Sequence, residues 1–69
     1  MNLREDVLEM INNDLRMLVN LSIFDADDHI ARMDFARSLS QPALVVYMGK
    51  THTEVLAYIM DCDVYKEVA

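Results

Sequence analysis

The chain has 69 residues, of which 54% are apolar, and twelve acids against six Lys and Arg give it a formal net charge of −6. That length sets one domain over residues 1–69. It buries only about 60% of its unfolded surface, so an excess of apolar residues is expected to be covered by a second copy, as a homodimer, or by another protein. The acidic balance works against nucleic-acid binding, which depends on Lys and Arg neutralising phosphates. The single cysteine, Cys62, rules out an internal disulfide, and no run reaches the ~18–20 apolar residues of a membrane span.

The opening MNLRED lacks the apolar core of a secretory signal, so the expected location is the cytoplasm. Asn2 reads as a helix cap, with Glu5 and Asp6 in the first turn where acids suit the helix dipole. Leu3, Val7, Ile11, Leu15 and Leu18 recur at helical spacing, predicting a first helix over about 3–20. The apolar turn Leu21-Ser22-Ile23-Phe24 is expected to fold back onto the core. Asp25 or Asp27 caps a second helix over about 26–40, which ends where Pro42 pushes the preceding residue out of helical geometry.

Residues 42–60 support two readings. In the first, Pro42 sits in the first turn of a helix over 42–48 and Gly49 ends it. Thr51 then caps another helix over 52–67, with Glu54 completing a capping box. In the second, 43–48 and 51–60 are strands joined by a Gly49-Lys50 turn. The helical reading is favoured, because proline, glycine and the Thr51/Glu54 pair all fall where two helices need them. The expected fold is therefore all-α, a small bundle of three to four helices. The alternative is α+β, a helical hairpin followed by a β-hairpin. Leu44, Met48, Val55, Tyr58 and Ile59 form the apolar face of this stretch, as core or as an oligomer contact.

Leu39-Ser40-Gln41, Val45, Gly49 and Val55, with Leu44, Met48 and Tyr58 at apolar positions, resemble the helix-turn-helix of Cro/repressor-like DNA-binding proteins over residues 39–58. The resemblance implies two helices meeting at Gly49, with Lys50, Thr51, His52 and Thr53 facing DNA. Val45 stands where that family has a small residue, and Lys50 where it has an apolar one.

The cluster Asp25-Ala26-Asp27-Asp28-His29 lacks the spaced oxygen ligands and glycine of a calcium loop, and reads as a cap with a solvated acidic patch. His29, His52 and Cys62 lack zinc spacing. Gly49-Lys50-Thr51 lacks the earlier glycine of a phosphate loop. No catalytic residue, metal or cofactor is expected, and the chain does not read as an enzyme. The expected function is that of a small acidic protein-interaction protein, a regulator or inhibitor of a partner with a basic surface, acting in part by imitating nucleic-acid charge. Its contact face is Glu5, Asp6, Glu9, Asp25, Asp27 and Asp28. The alternative is a small helix-turn-helix transcriptional regulator.

Overall fold

The computed structural model describes the backbone of residues 2–68 and the side chains of residues 2–60. Its elements are α1 (Leu3–Asn20), α2 (Ala26–Ser38) and α3 (Gln41–Val68), with no strand among the described residues. The all-α reading holds, and the β-hairpin at 43–48/51–60 is corrected to helix.

The Asn2 side chain accepts a hydrogen bond from the Glu5 amide at 3.3 Å, as its capping role predicts. Val7, Ile11, Leu15 and Leu18 are buried along one face of α1. Leu3, read as the start of that stripe, is instead exposed. Its neighbour Arg4 does the packing work at this end. The guanidinium donates to the carbonyls of Leu39 (2.9 Å) and Arg37 (2.7 Å), satisfying the C-terminal end of α2, where a cation also suits the helix dipole.

α1 ends in a Schellman motif. The Ser22 amide bonds the Val19 carbonyl and the Ile23 amide bonds the Leu18 carbonyl, both at 3.0 Å. The motif requires a left-handed residue, and Ser22 has φ 62°. Holding a Cβ there is unfavourable by about 1–2 kcal/mol, a term only partly offset by serine's smaller unfolded-state entropy. Ser22→Gly is therefore expected to stabilise the protein by about 0.5–1 kcal/mol, read as a higher urea midpoint with an unchanged slope.

Asp25, one of the two candidates, is the cap of α2. Its carboxylate accepts from the Asp28 amide at 2.8 Å, and the Asp28 carboxylate accepts from the Asp25 amide at 3.2 Å. The helix stops at Ser38, two residues before the expected boundary, and only Leu39 and Ser40 connect it to α3.

The expected pair of helices, 42–48 and 52–67, is one continuous helix. Gly49 keeps a negative φ, so it ends nothing. Thr51 does not cap. Its hydroxyl lies 3.0 Å from the Met48 carbonyl and 3.1 Å from Asp14 Oδ2 on α1, sharing its one proton between them. The Thr53 hydroxyl donates to the Gly49 carbonyl at 2.8 Å. Threonine hydroxyls can bond back to the preceding helical turn, so both are satisfied inside a helix and no break is needed. Glu54, the other half of the expected capping box, instead pairs with Arg32 of α2 at 3.5 Å.

α1 is the central element. It packs against α2 and α3, which barely touch each other. The contacts of His29 with Asn12 and of Arg4 with Arg37 make α2 antiparallel to α1. The Arg4–Leu39 and Asp14–Thr51 contacts make α3 parallel to it. At 1.5 Å per residue α3 is about 42 Å long and α1 about 27 Å, so α3 reaches past its neighbour. The core joins Val7, Ile11, Leu15 and Leu18 to Met33, Ala36, Leu44 and Val55. Met48, Tyr58 and Ile59 pack half-buried against it, so the apolar face expected of residues 44–59 is core.

Candidate functional site

Because α2 and α3 are splayed on α1, an open groove of about 580 Å³ separates them, lined by Phe24, Arg32, Phe35 and Tyr47, with Asp28 at its lip. Phe24 reaches it from the turn after the Schellman motif. Arg32 and Phe35 lie three residues apart on one face of α2, and Tyr47 comes from the second turn of α3. The Arg32 guanidinium lies over the Phe24 ring, 4.6 Å from its centroid. Phe35 and Tyr47 meet edge to face at 5.2 Å and 74°.

The charge of Arg32 is well supported. Burial opposes it, but the Tyr47 hydroxyl, Glu54 and Asp28 together outweigh burial and hold the pKa above its ordinary value. The buried Tyr47 hydroxyl stands close enough to Arg32 to support its charge but meets no group in full hydrogen-bonding geometry. Such a group leaves unused polar capacity inside an otherwise aromatic site. The site thus offers three rings, a guanidinium already neutralised by carboxylates, and one buried hydroxyl with hydrogen-bonding capacity to spare. That set suits binding, and it contains no nucleophile–base pair.

The six acids expected to form one face do not form one. The antiparallel α1/α2 pair sends them to opposite ends. Glu5, Asp6 and Glu9 are exposed on the first turns of α1, where Glu5 and Glu9 border a shallow hollow beside Met33 and Arg37. Asp25, Asp27 and Asp28 are exposed at the start of α2. Only this second group adjoins the groove, through Asp28. Asp25 and Asp28 are also engaged with each other's amides, as the capping reading requires.

Lys50, Thr51, His52 and Thr53 do not share an outward face either. Thr51 is fully buried, while the other three are exposed. The His52 ring, in its Nδ1–H tautomer, donates to Asp14 Oδ1 at 3.3 Å, while the Thr51 hydroxyl approaches the other oxygen of the same carboxylate. A hydroxyl, an imidazole and a carboxylate therefore meet, but both donors use the one acceptor and the hydroxyl is inaccessible. The cluster braces α3 on α1. Among the described residues, no group of three or more His, Cys, Asp or Glu is gathered as a metal site would require, and no helix is long and apolar enough to cross a membrane.

The groove was not legible in the sequence. Phe24, Phe35 and Tyr47 lie eleven and twelve residues apart on three different segments, so no one helical pattern joins them. Their presence was the only signal, since the chain has just five aromatic residues. No family model, curated protein or solved structure matches this chain.

Proposed function

We propose that this chain is a small acidic protein-interaction protein, acting as a homodimer, that regulates or inhibits a partner protein by seating part of it in the α2/α3 groove. The carrying observation is the open aromatic–arginine groove with an acidic lip. Tyr, Phe and Arg are enriched where protein interfaces bury most, and they dominate binding energy there. The occupant that fits is a segment of a basic protein surface that presents an apolar side chain between Phe35 and Phe24 and a cation toward Asp27 and Asp28. A net charge of −6 would steer such a partner into encounter, with a rate that falls as salt rises. The acids stand in two groups rather than in a row, which favours groove recognition over imitation of a phosphate backbone.

The test is capture of partners on the immobilised chain, followed by titration of the captured protein against wild type and two variants. Phe35→Ala removes a groove wall and is expected to weaken binding about tenfold or more. Asp27→Lys, at an exposed residue that makes no cap, is expected to slow association at low salt and to matter little at high salt. A partner bound equally by Phe35→Ala overturns the groove assignment. Capture of duplex DNA instead, undiminished by either variant, makes a DNA-binding regulator the better reading, though not through a turn at Gly49.

A further inference from the structure

Over residues 42–60, the face of α3 turned away from α1 carries no charged residue. At 100° per residue, Pro42, Val45, Val46, Gly49, Thr53, Leu56, Ala57 and Met60 fall in one sector of the helix. Its aliphatic members are open to solvent, with Val46 61%, Leu56 46% and Met60 65% exposed. An ordinary surface helix presents charged residues there. The spacing 46, 49, 53, 56, 60 is the alternating three-four repeat of a helix-pairing seam. The seam also runs on into the hollow formed by Phe35, Leu39 and Ala43 beside Val46 and Lys50.

Gly49 stands at its centre. Glycine inside a helix is unfavourable, and here nothing within the chain requires it: its φ is negative, and a Cβ added to it would meet nothing within 4 Å. A smooth spot on an uncharged helix face admits a second helix backbone at close range.

From these observations we infer that the outer face of α3 pairs two copies of this chain, antiparallel, about a two-fold axis between Gly49 and Thr53. The inference rests on the homodimer of the preceding section and names its contact. Charge selects both the occupant and the direction. Lys50 and Glu54 border the same side of the seam, next to Val46, Gly49, Thr53 and Ala57. In the antiparallel pair that side meets its own copy. Val46 then lies level with the partner's Leu56, Gly49 level with the partner's Thr53, and each Lys50 within about 3 Å along the axis of the other copy's Glu54. A parallel pair brings the Lys50/Glu54 side against the side carrying His52, which among the described residues holds no carboxylate. The seam over residues 42–60 is only about 27 Å long, so it buries less than the ~800 Å² per partner of a standard interface. The dimer is therefore concentration-dependent.

Sedimentation equilibrium across a wide concentration range tests this with the full chain. Wild type is expected to pass from monomer to dimer. Gly49→Leu fills the smooth spot and is expected to weaken association about tenfold or more. The same substitution is expected to raise the melting midpoint by roughly 4 °C, measured where wild type is monomeric, because leucine is the better helix former. Weaker association with unimpaired folding separates a blocked contact from a damaged monomer. Lys50→Glu is expected to weaken the dimer, and adding Glu54→Lys to restore it. A dimer unmoved by Gly49→Leu overturns this contact while leaving the homodimer in place. A monomer at every concentration overturns both and leaves a different protein as the occupant of the α3 face.

Discussion

Leu15→Ala is expected to bring the protein close to unfolding at room temperature. Leu15 is fully buried at the centre of α1, the one helix that holds the other two. Truncating a buried leucine removes its transfer free energy and leaves a cavity, together about 2–5 kcal/mol. A chain of this length has roughly 3–10 kcal/mol of stability to lose. A urea titration followed by circular dichroism should show the wild-type midpoint displaced nearly to zero denaturant. Leu3→Ala is the control. Leu3 belongs to the same helical stripe in the sequence but is 63% exposed, so its truncation should shift stability by no more than about 0.5 kcal/mol. Equal effects at the two positions would mean that α1 is not packed as described.

The second large effect is expected at Thr51, and its signature is an ordering of three variants. Thr51 is fully buried and offers its hydroxyl to the Asp14 carboxylate and the Met48 carbonyl. Thr51→Ser keeps the hydroxyl and loses a methyl group, about 1 kcal/mol. Thr51→Val keeps the volume but takes a donor away from a mostly buried carboxylate, about 1–2 kcal/mol. Thr51→Ala loses both and should be worst, about 2–3 kcal/mol. A helix cap would rank them differently. Serine caps at least as well as threonine, and valine and alanine fail alike. Urea midpoints for the three variants therefore decide whether Thr51 starts a helix or sits within one. Serine equal to wild type would reinstate the break at Gly49-Lys50. In the Asp14→Ala background the loss on Thr51→Val should shrink, since the two groups share one interaction.

The local features of this protein follow from residues close together in the chain. Asn2 and Asp25 cap their helices because a short side-chain acceptor next to free amides needs no help from the rest of the fold. The recurrence of Val7, Ile11, Leu15 and Leu18 at three- and four-residue spacing requires a buried helical face whatever covers it. Net acidity and the scatter of six basic residues are likewise properties of the chain alone.

The remaining features arise from contacts between residues distant in the chain. Pro42, Gly49 and Thr51 carry the same local preferences in one helix as in two. Asp14, 37 residues away, accepts the Thr51 hydroxyl and α1 covers Leu44 and Val55, which keeps the helix unbroken. Arg4 looked like an ordinary first-turn residue until the end of α2 was brought to it. The six acids looked like one face until antiparallel packing separated them. Phe24, Arg32, Phe35 and Tyr47 became a site because two helices splay on a third, leaving between them a space that no local pattern encodes.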